Sequence, residues 1–279
     1  MTISTRDQLI YAMGNNASRI VLDKASLSGL AAGVYASMWR ATGQPGQGAI
    51  PSTAAVCDIN TTGCVRFAQQ TAPAKSYGAW MSATCSNSAT TVEMHDRLMH
   101  MGGLSGTVTT AQTVGIDLSA NLSTSNLDAR KGDADYSDVQ WWLEWYTATG
   151  ATAVTATVNV TYNDGTTGDL TSLALSGTRP AAFMATLNGL IPSTASGKFI
   201  RGVNTVTLSA TTGTAGSFGV TATRSRMVMP LNLANKTEIF DWAALGLPEI
   251  HNSSCVFPIA LVSTTNTGTV RGGGKLAHG

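Results

Sequence analysis

The chain has 279 residues, of which 12% are charged and 43% hydrophobic, and its formal net charge is +1. That length supports one large all-β domain or two smaller ones, and the near-neutral balance without a basic stripe argues against a nucleic-acid partner. No apolar run approaches the roughly 20 residues of a membrane span, and Met1 to Asp7 shows no basic stretch leading into an apolar one, so the chain is expected to be made and first folded in cytoplasm.

Ordinary soluble domains carry about 25% charged residues. Here Thr, Ser, Ala and Gly take their place. Depletion of charge is the compositional mark of interface cores, so a chain that spends surface on neighbouring subunits is the expectation.

The first predicted element is a short helix. Thr5-Arg6-Asp7-Gln8 fits a capping box, Leu9, Ile10 and Met13 supply an apolar side, and Gly14-Asn15 a stop. Ser18 to Leu22 reads as a strand, and Leu30 to Trp39 as helix or strand. Ala41 to Pro51, with its glycines and Pro45, reads as an extended loop. Cys57, Cys64, Cys85 and Cys255 form no C-x-x-C pair. Reduced, partly buried thiols are expected, with a Cys57–Cys64 disulfide across a surface loop as the alternative.

From Tyr77 onward strands dominate. His95 and His100 flank Asp96 and Arg97, but two imidazoles five positions apart share neither a strand face nor a helix side, so a shared metal ion is not expected. Asp96 and Arg97 read instead as a structural charge pair. Asp133, Asp135, Ser137 and Glu144 imitate the spacing of a calcium loop, although Asp138 stands where that loop needs glycine. Asp133, Asp135 and Asp138 are therefore the only metal candidates, set against a solvated acidic loop, and no cofactor is expected.

Trp141 to Tyr146 is the densest aromatic cluster. As a strand it turns Trp141, Leu143 and Trp145 one way and Trp142, Glu144 and Tyr146 the other. One set is core. Trp142 and Tyr146 on the other face are candidates for a subunit interface, a sugar-stacking platform or a second buried face. Val154 to Tyr162 alternates apolar and polar residues, and Asn163-Asp164-Gly165 supplies a hairpin turn. Val203–Leu208 and Phe218–Thr223 alternate likewise. The tail from Arg271 to Gly279, rich in glycine, frays unless something ties it down, which points to neighbouring subunits.

These patterns predict an all-β protein, mainly an antiparallel sandwich of jelly-roll or Ig-like type, with a short N-terminal helix. Residues 1–75 read as the helix and an extended-loop arm, and 76–279 as the β-sandwich region, with a further boundary near 115–135. No P-loop, G-x-S-x-G or Ser-His-Asp arrangement is visible. Glu144 and Asp164 are carboxylates that could serve a glycosidase only if the fold sets them facing one another. With four histidines and few charges, a structural role is expected rather than an enzyme.

Several segments together carry a resemblance: Ala31 to Gly46, His95 to Val114, Tyr162 to Gly168, and Leu245 to Glu249. In that order they resemble a group of virion structural proteins of tailed bacteriophages. Where that group has a glycine-rich loop before its central strand, this chain has the acidic Asp133–Asp138 segment. The resemblance implies a virion location and a capsid-decorating, cementing or vertex-associated protein. Its partners would be the major capsid protein, other virion proteins and further copies of itself, a trimer being favoured. A tail, collar or fibre accessory protein with a receptor- or glycan-binding role is the alternative.

Overall fold

A computed structural model describes residues 2–123 and 125–279. The fold is mostly antiparallel β-sheet, 44% strand and 10% helix, with one short N-terminal helix of ten residues. The chain forms two compact units from interleaved segments. One comprises Met1–Ala49, Asp58–Asp96 and Ser225–Gly279, and the other Ile50–Cys57 and Arg97–Arg224.

The first unit is built on a sheet whose strands run in the order Glu238–Asp241, Ser76–Cys85, Val270–His278, Ala17–Lys24 and Gly43–Gln44, with Glu249–Ile250 also paired to Ser76–Cys85. Ala17–Lys24 shows the required period of two: Ile20, Leu22 and Lys24 are buried, while Arg19, Val21 and Asp23 face out. The glycine-rich chain end, expected to lean on neighbouring subunits, is instead the middle strand of this sheet. Glycine is needed there because a Cβ on Gly272 would lie 2.1 Å from the Ser82 carbonyl oxygen. Close backbone approach, which composition does not reveal, makes a strand of a sequence that reads as a flexible tail.

The helix Arg6–Asn15 has the predicted capping box, with Thr5 and Gln8 satisfying each other's backbone donors. Leu9 and Ala12 pack on Ala79 and Ala277, with Met13 against them. Ile10, expected on that face, points outward; it lies 100° around the helix from Leu9. The stretch Leu30 to Trp39 yields a strand, Tyr35–Ser37, and a 3-10 turn, Met38–Arg40. Tyr35–Ser37 pairs with Val256–Leu261, which pairs in turn with residues 91–96. Trp39 meets Phe257 edge-on at 5.6 Å and donates to the Ala49 carbonyl. Buried Lys24 donates to the carbonyls of Ala41 and Pro45 at 2.7 and 2.9 Å, pinning the predicted loop, and burial pushes its pKa down to about 8.

The second unit has a sheet ordered Thr167–Asp169, Val154–Tyr162, Ile200–Leu208 and Gln112–Asp117, with Leu173–Leu175 also on Val154–Tyr162. The predicted strand matches the observed one, and the Asn163–Gly165 turn returns the chain with Gly165 at φ +85°. Gln140–Thr147 pairs with Phe183–Thr186 on one side and with residues 217–223 on the other. Val154, Ala156, Val158 and Val160 of the first set share one core with Trp141, Leu143, Trp145, Phe218 and Val220 of the second. Alternate residues of paired sheets meet in this way in a β-sandwich.

Candidate functional site

Gln140–Thr147 is buried on both faces, and its second face carries a cluster of hydrogen-bonded polar side chains. Glu144 is 1% exposed and Arg97, on the strand Thr90–Leu104, 0%. Their contact is bidentate: Arg97 Nη2 to Glu144 Oε2 at 2.6 Å and Nη1 to Oε1 at 3.3 Å. Arg97 Nη2 also donates to the Tyr146 hydroxyl at 2.8 Å and to Thr221 Oγ1 at 3.1 Å, and Nε donates to His100 Nδ1 at 3.0 Å. The Tyr146 and Thr221 hydroxyls in turn donate hydrogen bonds to Glu144 Oε2. His100 therefore carries its ring proton on Nε2 when neutral.

Burial works to discharge the Arg97 guanidinium, but the Glu144 carboxylate, with smaller contributions from Tyr146 and Cys57, more than offsets it and holds Arg97 above its ordinary value. Burial, reinforced by Glu144, raises the Tyr146 hydroxyl and keeps it a donor. Arg130, also fully buried, donates to the carbonyls of Cys57 and Arg97 at 2.8 and 3.0 Å. Chemically the arrangement joins Thr90–Leu104, Gln140–Thr147 and Ser217–Leu231 by charge-assisted bonds, and so fixes their mutual register.

Of the sequence candidates, Glu144, Tyr146 and His100 belong to this cluster. Trp142 and Tyr146 are 3% and 2% exposed, and Trp142 Nε1 donates to Thr223 Oγ1 at 2.9 Å. The chain's own fold thus encloses both rings. Asp138 pairs with Arg224 at 2.6 Å, and Asp135 caps the Ser137 N–H at 3.0 Å. Among the described residues no three metal-ligating side chains converge, and Asp133, Asp135 and Asp138 do not form a common site. Asp96 accepts from the Ser254 hydroxyl and the Cys255 N–H, both at 2.8 Å, so the expected Asp96–Arg97 pair is replaced by two separate attachments. Adjacent residues of a strand point to opposite faces, which is why. His95 meets Glu93 at 2.9 Å while His100 meets Arg97. The four cysteines are buried thiols. Asp164 sits in an exposed turn paired with Lys198 at 2.8 Å, whereas Glu144 is enclosed, so these carboxylates do not face each other across a cleft.

No known protein family's profile matches the chain, and no curated protein does. Solved structures with some likeness are capsid proteins of infectious bursal disease virus. The VP2 subviral particle is 11% identical over 94% of this chain and 80% of that one, with a TM-score of 0.17. The Gx-strain structure is 12% identical over 94% and 81%, with a TM-score of 0.16. Superpositions this loose transfer neither a fold nor a role.

A second buried polar contact closes the first unit's sheet. His278 Nε2 accepts from the Ser18 N–H at 3.0 Å, and its Nδ1 lies 2.8 Å from the Ser76 hydroxyl, so the strand on either side is latched through one neutral ring. Burial lowers the His278 pKa. The folded state therefore binds this proton less readily than the unfolded chain, and the latch's contribution is present above the ordinary histidine value near 6.5 and is lost as pH falls through the folded value. The melting temperature of the native chain should fall more steeply below pH ~6.5 than that of His278→Gln. Parallel melting curves across the acid range would disprove the latch.

Proposed function

We propose that this chain is a structural component of a virus particle, most specifically a decoration or vertex-associated protein of a tailed bacteriophage that stabilises the particle through protein–protein contacts. One observation carries the reading: the exposed large apolar side chains gather in one unit. Ile10, Tyr11, Val21, Val228, Leu233 and Ile239 belong to the first unit, and among the described residues only Val108 belongs to the second. Ile239, 67% exposed, lies on Glu238–Asp241, the outermost strand of its sheet. An outermost strand offers backbone donors and acceptors to a neighbour, and apolar side chains beside it add affinity. Low charge, the antiparallel architecture and the resemblance of four ordered segments to phage virion proteins support the same reading. The partner is then the major capsid protein or another virion protein, with repetition around the particle multiplying modest contacts.

Purified chain should co-sediment with particles assembled without it, and Ile239→Lys with Leu233→Asp should abolish co-sedimentation while leaving the melting temperature within a few degrees. A chain that stays monomeric and binds no such particle would remove the proposal. Copy number in intact particles separates its two forms: many copies fit decoration, a single ring fits a tail or collar position.

A further inference from the structure

The outward face of the first unit's sheet carries a feature that stability does not explain. Pairing places Arg19 opposite Lys275, and Lys275 opposite Trp80. Like charges side by side on adjacent strands destabilise a sheet. Lys275 eases the conflict by reaching the Met13 carbonyl at 2.9 Å, a neutral partner. Beside this row, Gly273 sits between Val21 and Ser82, and with no side chain between them the sheet surface is troughed.

Two hollows open there, and Arg19 lines both. The first, about 400 Å³, runs past Trp80 and Lys275 over the glycines 272–274. The second, about 350 Å³, lies between Pro45–Gly46 and the segment Thr61–Arg66. Arg66 at its far wall is held by the Asn60 backbone carbonyl and side-chain oxygen, at 3.2 and 3.4 Å, which orient its guanidinium without neutralising it. Three cations therefore line the two hollows, no carboxylate does, and none of the three makes an ion pair among the described residues. The nearby Arg271 is different, since it meets Asp23 at 3.2 Å.

We propose that the two hollows form one binding track for an acidic polysaccharide. Guanidinium forks at Arg19 and Arg66 suit carboxylates repeated along a sugar chain. The half-buried Trp80 offers an aromatic edge to a pyranose ring, and the glycine floor lets the ring approach the backbone. A shallow, open, cation-lined track fits an extended polar chain better than a compact apolar ligand, which needs an enclosed pocket. The proposal does not rest on the virion reading: it uses Arg19, Arg66 and Trp80, whereas Ile239, paired with Ser82 on the same outward face, stands at the margin of the track.

Titration calorimetry of the full chain with a hexasaccharide of galacturonic acid, with maltohexaose and with a hexaglutamate peptide tests it. The galacturonate should bind, weaken with added salt and lose about tenfold in affinity in Arg19→Ala and again in Arg66→Ala. Both side chains are exposed, so unchanged melting temperatures verify that the variants fold. Trp80→Leu should weaken binding while leaving the salt dependence as it was. No binding of galacturonate, equal binding of maltohexaose, or indifference to both arginine variants would each overturn the proposal. Hexaglutamate binding as tightly as the saccharide would overturn it too, by reassigning the track to an acidic peptide.

Discussion

Glu144→Gln should cost about 3–5 kcal/mol of stability, the scale on which breaking one side of a buried ion pair operates. The substitution keeps the shape of the side chain and removes only its charge. Arg97, 0% exposed, then loses its bidentate carboxylate partner and keeps its hydrogen bonds to Tyr146, Thr221 and His100. Arg97→Met should cost a similar amount, because the buried Glu144 carboxylate loses both of its guanidinium bonds. The double variant Arg97→Met with Glu144→Leu should regain much of the loss, since replacing both charges by apolar groups of like size removes the desolvation cost along with the attraction. Urea midpoints at constant slope provide the measurement. Single variants that shift stability by less than about 1 kcal/mol would mean the cluster is not under the constraint that its burial indicates.

How far this cluster could be read in advance shows where sequence stops. Val154–Tyr162 was legible to the residue because a period of two and an Asp-Gly turn are local signals, and so was the Thr5–Gln8 capping box. Arg97 and Glu144 stand 47 residues apart, and nothing local joins them. A signal was nevertheless present: a single carboxylate set among Trp141, Trp142, Leu143, Trp145 and Tyr146 cannot remain uncompensated if the strand is buried on both faces. The alternation correctly split the aromatic residues into two faces, yet left the environment of Trp142 and Tyr146 open, because burial of the second face depends on strands from distant sequence. Val270–His278 shows the converse. Glycine is a poor strand former, and only the backbone of Ser76–Cys85, lying too close for any Cβ at Gly272, explains why it stands in the middle of a sheet.

Trp145→Ala is the second substitution with a large expected effect, about 3–5 kcal/mol. Its ring is stacked on Phe218 with centroids 5.4 Å apart and meets Phe183 edge-on at 5.4 Å, while Nε1 donates to Thr149 Oγ1 at 3.2 Å. Truncation to alanine opens a cavity between the strands Gln140–Thr147 and Ser217–Leu231 and forfeits both aromatic contacts, each worth about 0.5–1.5 kcal/mol beyond area burial. Trp145→Phe should recover most of that, because it keeps the stack on Phe218 and gives up only the hydrogen bond and part of the volume, about 1–2 kcal/mol in all. The comparison with Ile239→Lys is decisive for how the molecule divides its labour. Ile239 touches solvent rather than core, so its replacement should leave the unfolding midpoint within about 0.5 kcal/mol while removing attachment to particles. If Ile239→Lys unfolded the chain as Trp145→Ala does, the exposed apolar residues would be part of the fold's own stability, and their gathering in one unit would no longer argue for a neighbour.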